Sequence, residues 1–248
     1  MNIEGKTALI IGGTSGVGRA TVEALRQQGA RVIAAARGGD GLAALRAETG
    51  EKVQTVQMDA SDTTSIQRAL RELRPELVVL SAGVRLHVGT LLEQTWDSFS
   101  EPWLTDTQAA FHLVKGALTT PLASGSKVVI VSSGAAINGS PLSGGYAGAK
   151  RMQWLMAGYA QQLSDKQNLG IRFVSVVPLQ LIEGTAIGSA AAAAYGATMG
   201  ITAADFMKRY DVPLRPSGVA NAIVTCLSGG IASDATTVRV SGKGIEPS

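Results

Sequence analysis

Short apolar runs alternate with amphipathic segments along this chain of 248 residues. The apolar runs are rich in β-branched residues and predict strands at Lys6–Ile11, Arg31–Ala36, Val53–Met58, Leu77–Leu80, Lys127–Ser132 and Ile171–Val177. The segments between them predict helices at Gly16–Gln28, Leu42–Glu48, Thr63–Leu73, Pro102–Leu118 and Gly145–Leu163. Apolar strands joined by helical crossovers indicate an α/β fold, with a doubly wound parallel sheet between two helical layers. No linker or repeat interrupts the alternation, so residues 1–248 are predicted to form one domain.

The segment 178–216 departs from this alternation, because it has no strand pattern and is dominated by small residues. We therefore expect a long irregular excursion, which in a compact domain usually serves function. The prediction is a substrate-binding loop or lid, and the alternative is a tolerated surface insertion. Its uncharged part, 186–201, is too short to span a bilayer, which needs about 20 residues. A mobile helix or loop of small residues is expected there.

Composition and charge exclude several classes of protein. Lysine and arginine number 22 against 19 acidic residues, and no basic block or basic–aromatic stripe indicates nucleic-acid binding. One cysteine, Cys226, cannot form a disulfide within the chain, and two histidines make a metal cluster improbable. The first residues include Glu4 and no apolar run, which argues against a secretory leader. We expect a cytoplasmic protein without a metal or a membrane span.

A glycine-rich segment, Gly12-Gly13-Thr14-Ser15-Gly16-Val17-Gly18, joins the first predicted strand to the first predicted helix. Glycine allows a tight turn and a close backbone approach to a pyrophosphate. The N-terminus of the helix offers N–H groups and a partial positive charge to the same anion. Glycines at such a junction also serve packing, but the position after the first strand of a βαβ unit favours a dinucleotide site.

The residue that follows the second strand bears on the choice between NAD and NADP. A site selective for NAD places a carboxylate here to hold the ribose hydroxyls, yet no acidic residue lies between Arg31 and Gly39. Arg37 instead presents a guanidinium that can bind a 2′-phosphate and stack on adenine. NADP(H) is therefore the predicted cofactor, the alternative being that Arg37 is an ordinary solvated side chain.

Three residues in the second half of the chain form a candidate catalytic group. Tyr146 and Lys150 lie four residues apart, on one face of a predicted helix. An ammonium close to a phenol stabilises phenolate and makes the phenol a plausible general acid and base near neutral pH. Ser133 ends the fifth predicted strand, at the edge of the sheet where ligands bind. Its hydroxyl can stabilise charge that develops on a carbonyl oxygen.

The glycine motif, Asp59, Ser81-Ala82-Gly83, Ser133, Tyr146 and Lys150 occur in the order and at the spacing of a known family. The chain resembles the short-chain dehydrogenase/reductase family, in its short single-domain subgroup. The resemblance implies a Rossmann fold, a homodimer or homotetramer, and NADP(H)-dependent interconversion of an alcohol and a ketone or aldehyde. It assigns acid/base catalysis to Tyr146, support of that tyrosine and of the nicotinamide ribose to Lys150, and orientation of the substrate carbonyl to Ser133.

Motif and resemblance together also assign the residues that hold the cofactor. The predicted cofactor-binding residues are Gly12, Thr14, Ser15, Gly16, Val17, Gly18, Arg37, Asp59, Ala60, Ala82, Gly83, Tyr146, Lys150, Pro178 and Leu181. No partner is expected beyond the small-molecule substrate and further copies of the chain.

Two departures from the family pattern bear on activity. The family usually has an asparagine five residues before a phenylalanine, where it supports a water-mediated proton relay; here that position is Asp106, before Phe111. Leu80 stands where an asparagine usually follows the fourth strand. We expect Asp106 to take part in catalysis with an altered relay and unusual turnover. The alternative is a dinucleotide-sensing or scaffolding protein of the same fold that turns over little, although the intact Ser133, Tyr146 and Lys150 favour an enzyme.

Overall fold

In the computed structural model, which describes residues 2–246, an eight-stranded sheet lies between two layers of helices. The predicted single α/β domain with a doubly wound sheet is confirmed; residues 1, 247 and 248 lie outside the described part. The strands are β1 (Thr7–Ile11), β2 (Arg31–Ala36), β3 (Val53–Gln57), β4 (Leu77–Leu80), β5 (Lys127–Val131), β6 (Arg172–Pro178), β7 (Thr237–Ser241) and β8 (Gly244–Ile245). Their order is β3-β2-β1-β4-β5-β6-β7-β8, parallel throughout except for the pairing of β8 with β7.

Helices connect the strands and cover both faces of the sheet. They are α1 (Gly16–Gln27), α2 (Gly39–Thr49), α3 (Thr63–Leu73), α4 (Trp96–Pro102), α5 (Gln108–Thr119), α6 (Ala135–Asn138), α7 (Tyr146–Lys166), α8 (Ala186–Thr198), α9 (Ala203–Met207) and α10 (Pro216–Ser228). A 3₁₀ turn at Gly50–Lys52 precedes β3, and a π turn at Trp103–Thr107 joins α4 to α5.

Alternate residues of each central strand enter two separate cores, which explains why the strands are apolar throughout. In β1, Ala8 and Ile10 pack on the side of α1 and α10, whereas Leu9 and Ile11 pack on the side of α3, α5 and α7. The first core also contains the lone cysteine, Cys226, and burial raises the pKa of its thiol to about 12. The thiol therefore stays protonated and acts as a small apolar side chain.

The strand order reverses between β1 and β4, and this reversal positions the site. From β1 the chain runs outward through β2 to β3, then returns to place β4 on the other side of β1. Connections leaving the carboxyl ends of β1 and β4 therefore diverge, which opens a crevice at that edge of the sheet. The residues that follow Ile11 and Leu80, which pair across the two strands, form its walls.

The predicted helix Pro102–Leu118 was wrong at its beginning. The chain is already helical from Trp96, because Thr95 caps α4 by accepting the N–H of Ser98. Pro102 is the last residue of α4, and the five residues after it form the π turn before α5 begins. Single π turns inside helices occur frequently at functional sites, and this one carries Asp106.

The segment 178–216 was predicted to be irregular, and that prediction was wrong where α8 and α9 form; α8 lies within 186–201, where a helix or loop of small residues was expected. Thr185 caps α8 and Thr202 caps α9, each by accepting a backbone N–H in the first turn. Alanine has the highest intrinsic helix propensity, so the alanine run favours a helix once the cap is in place. The strands β7 and β8 were not predicted. In β7, Val238 and Val240 are buried and alternate with the exposed Arg239.

Candidate active site

The glycine loop between β1 and α1 closes only with glycine at two of its positions. Gly12 has φ +89°, and a Cβ there would lie 2.5 Å from the backbone nitrogen of Ala82. A Cβ at Gly18 would overlap the carbonyl oxygen of Gly12. The loop therefore lies flat against the end of β4 and leaves the mouth of the crevice open.

The N-terminus of α1 faces this crevice with unpaired N–H groups. The first N–H groups of a helix have no partner within it, and the N-cap residue Ser15 makes no side-chain hydrogen bond to them. The first turn also contains no acidic residue. Backbone donors and the helix dipole fit a dinucleotide pyrophosphate.

A cleft of about 650 Å³ runs along the carboxyl ends of the strands. Fourteen of the predicted cofactor-binding residues line it, and Ser133 and Asp106 line it as well. The fourteen are Gly12, Thr14, Ser15, Gly16, Val17, Arg37, Asp59, Ala60, Ala82, Gly83, Tyr146, Lys150, Pro178 and Leu181. The predicted residue that does not line the cleft is Gly18, which supports the loop from behind.

At one end of the cleft, Arg37 and Asp59 stand at the carboxyl ends of β2 and β3. Arg37 is exposed, and no hydrogen bond or ion pair from residues 2–246 occupies its guanidinium. Asp59 accepts hydrogen bonds from the backbone N–H and the hydroxyl of Ser61, 2.9 and 2.8 Å long. These bonds, with a smaller contribution from Arg37, hold the pKa of Asp59 below its usual value. A cation free to take a partner therefore lies beside a fixed carboxylate.

At the other end, Tyr146 is the first residue of α7, and Lys150 follows one turn later. The Lys150 Nζ lies 5.5 Å from the centre of the Tyr146 ring. Ser133 follows β5, and its Oγ accepts the backbone N–H of Ala135 at 3.2 Å. Within the described residues, the Tyr146 hydroxyl has no hydrogen-bond partner and the Ser133 hydroxyl donates to none. Two hydroxyl groups that line the cleft are thus available to a ligand.

Behind Tyr146, the side chains of Lys150, Asp106 and Gln153 form a closed buried ring. The Lys150 Nζ lies 3.1 Å from Asp106 Oδ2 and donates to Gln153 Oε1 at 2.9 Å. Gln153 Nε2 donates to the backbone carbonyl of Asp106 at 2.7 Å. The other carboxylate oxygen, Asp106 Oδ1, accepts the backbone N–H of Val84 at 2.9 Å. Asp106, a predicted catalytic residue, thus lies in direct contact with Lys150.

The charge of Lys150 is set by competition between burial and these partners. Burial alone would lower the pKa of Lys150. The Asp106 carboxylate and, as a smaller contribution, Tyr146 outweigh this effect and raise the pKa. Lys150 is therefore an ammonium under ordinary conditions. Asp106 Oδ2 accepts no well-oriented hydrogen bond and is held by the ion pair with this ammonium.

Comparison with known proteins places the chain in a family. The family model described as short chain dehydrogenase matches residues 6–194, well over half of the chain. The chain belongs to the short chain dehydrogenase family. The resemblance inferred from the motifs is thereby confirmed.

The individual relatives that the chain matches are distant. Sorbitol dehydrogenase of Cereibacter sphaeroides is 28% identical over 156 residues, which cover 60% of this chain and 61% of that protein. The 3-oxoacyl-[acyl-carrier-protein] reductase of Escherichia coli is 27% identical over 158 residues, 60% of this chain and 64% of that one. The chain thus matches about three fifths of the length of these curated relatives. A solved glucose/ribitol dehydrogenase-type member from Brucella melitensis covers 97% of both chains with TM-score 0.81 and 24% identity, which shows the fold.

Several residues that contact the candidate site were missed from the sequence. Gln153 is fully buried on α7, and Ser132 donates to the carbonyl of Lys150 at 2.8 Å. A signal for Gln153 did exist, because it lies three residues after Lys150 on the same helix face. At the mouth of the cleft, the hydroxyl groups of Ser140 and Tyr195 lie 2.6 Å apart and link α8 to the segment after α6. No spacing in the sequence pairs these two residues.

The described part of the chain has no metal-binding cluster and no membrane-spanning helix. Within residues 2–246, no group of three or more histidine, cysteine, aspartate or glutamate side chains is placed to hold a metal ion. None of the helices in this part of the chain is long and apolar enough to cross a membrane.

Proposed function

We propose that the chain is an NADP(H)-dependent oxidoreductase that interconverts an alcohol and a ketone or aldehyde by hydride transfer. The observation that carries the proposal is the convergence of Ser133, Tyr146 and Lys150 at one end of a cleft whose wall is the glycine loop. Hydroxyl donors and a buried ammonium supply what carbonyl reduction needs from the protein. The loop and the N-terminus of α1 supply a seat for a dinucleotide.

In the direction of reduction, each of the three residues has a separate task. A bound nicotinamide dinucleotide supplies the hydride. Ser133 donates a hydrogen bond to the substrate oxygen, and Tyr146 transfers its phenolic proton to that oxygen as negative charge develops on it. Lys150 stabilises the resulting phenolate, and its third N–H, not used by Asp106 or Gln153, is free for a ribose hydroxyl. In oxidation, Tyr146 acts as the base.

The substrate is proposed to bind between the reactive hydroxyl groups and the segment 178–216. Helix α8 crosses the mouth of the cleft, where Leu179, Ile187 and Ala191 line it together with Tyr195. Because residues of the segment 178–216 line the mouth of the cleft, we propose that this segment acts as a lid. Pro178 and Leu181 would then flank the nicotinamide.

The proposal is tested by following the loss of NADPH absorbance with a panel of ketones, aldehydes and quinones. The expected result is turnover of at least one class of carbonyl compound, faster with NADPH than with NADH. If NADPH binds and no compound is reduced, the protein is a dinucleotide sensor or scaffold and the proposal fails.

Arg37→Ala should raise the KM for NADPH roughly 10- to 100-fold, with kcat and the KM for NADH little changed. A charge-assisted hydrogen bond contributes about 1.5–3 kcal/mol, and Arg37 has no partner within residues 2–246 that would compete for a 2′-phosphate. The measurement is a set of initial rates with both cofactors, with Arg37→Lys as the conservative variant that keeps part of the effect. An unchanged ratio of the two KM values would remove Arg37 from the site.

We also propose that the protein is a homodimer or homotetramer, joined through α5 and α7. These two helices pack on each other and expose large apolar side chains, namely Phe111 on α5 and Tyr159 and Leu163 on α7; Leu104 in the π turn before α5 is exposed as well. Light scattering after size exclusion should give a multiple of the chain mass, and Phe111→Glu combined with Leu163→Glu should lower it. A wild-type monomer at micromolar concentration would contradict the assignment.

The proposed location is the cytoplasm. The lone cysteine is buried and cannot form a disulfide within the chain, which fits a reducing compartment.

A further inference from the structure

The buried ring behind Tyr146 raises a problem of electrostatics. Asp106 is 1% exposed and its carboxylate lies beside the Lys150 ammonium. Opposite charges attract strongly in so dry an environment, because little water is present to screen them. This attraction alone would hold the flexible lysine to the carboxylate without fixing the direction of its ammonium relative to Tyr146.

Gln153 provides a second acceptor for the Lys150 ammonium. Its Oε1 accepts from the Lys150 Nζ at 2.9 Å, compared with 3.1 Å from the Nζ to Asp106 Oδ2, so the ammonium is shared between the two acceptors. The amide is itself fixed, because Nε2 donates to the Asp106 carbonyl at 2.7 Å and the side chain is fully buried. An acceptor that cannot move therefore holds one N–H of Lys150 and restricts how far the ammonium can turn.

The hydrogen bond from the Gln153 amide also engages the backbone carbonyl of Asp106. A carbonyl oxygen has two lone pairs, and the Gln153 amide donates to one of them at 2.7 Å. The Asp106 carbonyl therefore fixes the amide whose oxygen holds the Lys150 ammonium. The position of the Lys150 ammonium thus depends on the side chains of Asp106 and Gln153.

We propose that Gln153 is a positioning residue that keeps the Lys150 ammonium facing Tyr146 against the attraction of Asp106. The inference rests on the proposed function and deepens it. Gln153 does not line the cleft and acts through Lys150. The site thus contains a residue that sets how strongly Lys150 supports the Tyr146 phenolate.

The test compares Gln153→Met, Asp106→Asn and the double variant. Methionine matches glutamine in length and makes no such hydrogen bonds, so Lys150 should move onto Asp106 and support the phenolate less. The acid limb of the pH profile for alcohol oxidation, where Tyr146 must lose its proton, should then move to higher pH by about 0.5–1 unit. Asp106→Asn removes the competing charge, so the limb should move to lower pH. In the double variant the carboxylate that attracts Lys150 is absent. The acid limb of the pH profile should therefore return to its wild-type pH or to a lower pH.

Gln162→Met is the matched control, because Gln162 is an exposed glutamine on the same helix. It should leave the pH profile unchanged. Thermal melts and NADPH titrations of every variant separate a loss of folding from a shift in the profile. A Gln153→Met limb within about 0.3 unit of wild type, or a shift that Asp106→Asn does not reverse, would overturn the proposal. Should Gln153→Met fail to fold, an Asp106→Asn limb that does not move to lower pH would overturn it equally.

A second readout needs no turnover and separates this inference from the proposed function. Ionisation of Tyr146 can be followed by ultraviolet difference absorbance, with Tyr146→Phe as the blank in each background. The midpoint of that titration should rise in Gln153→Met and fall in Asp106→Asn. Absence of turnover in the wild type would refute the proposed function, whereas unmoved midpoints would refute the role of Gln153.

Discussion

Tyr146→Phe should lower kcat by about 10³-fold and leave the Kd for NADPH within about threefold of wild type. The substitution removes one oxygen atom, and that oxygen has no hydrogen-bond partner among residues 2–246, so the fold loses no hydrogen bond. General acid catalysis contributes about 10²–10⁴-fold to a rate, and the other hydroxyl proposed to contact the substrate oxygen, that of Ser133, is a weaker acid than a phenol. The measurements are steady-state reduction rates and a fluorescence titration with NADPH.

Tyr159→Phe is the matched control for this change. Tyr159 lies on the same helix, is about half exposed and is not part of the cleft. It should retain wild-type turnover. A Tyr146→Phe variant that keeps more than about a tenth of kcat would show that another group protonates the product, and Ser133→Ala would then be the next variant to measure.

The parts of the fold that could be predicted from the sequence are those whose burial is uniform. Strand β1 lies in the middle of the sheet with helices on both faces, so its run of apolar residues is unmistakable. Strand β7 is different, because one of its faces is buried and the other is not. That alternation extends over only five residues, with the exposed Arg239 in the centre. An alternation of period two over five residues is a strand signal, but a short one, and it was missed from the sequence.

The π turn shows why a local rule can give the wrong boundary. Proline is favoured at the first position of a helix, so Pro102 predicts the beginning of a helix that continues to Leu118. In the structure, the cap at Thr95 starts an earlier helix, and Pro102 falls at its end. The π turn that follows carries Asp106, whose carboxylate accepts the N–H of Val84 from the other wall of the crevice. That contact is tertiary and leaves no mark in the local sequence.

The candidate site likewise contains residues that the sequence predicts and contacts that only the fold brings together. The glycine loop, Arg37, Ser133, Tyr146 and Lys150 could be predicted because each follows a strand or shares a helix face at a fixed spacing. The contact of Asp106 with Lys150 could not, because the two residues are far apart in the sequence and meet only where the π turn and α5 pack against α7. Gln153 has the sequence context of an ordinary helix residue, and only the fold places the carbonyl of Asp106 opposite its amide.

Gly18→Ala should raise the Kd for NADPH roughly 10- to 100-fold and lower the melting temperature by roughly 5 °C. A Cβ at this position would overlap the Gly12 carbonyl oxygen, which is backbone and cannot swing aside as a side chain would. The loop must therefore move away from β4 as a unit, at a cost of about 1–3 kcal/mol. That movement also displaces the N–H groups of α1 from the position where they meet the pyrophosphate. Fluorescence titration and thermal melts measure the two effects.

Gly158→Ala provides a control of opposite sign. Gly158 lies inside α7, its φ is negative, and a Cβ added there would meet no atom within 4 Å outside the backbone of its own helix. Alanine there should stabilise the helix by about 0.5–1 kcal/mol and leave NADPH binding unchanged. If Gly18→Ala weakened binding without lowering the melting temperature, the overlap would be relieved inside the loop alone. If neither quantity changed, the close contact between Gly18 and Gly12 would not be what shapes the pyrophosphate site.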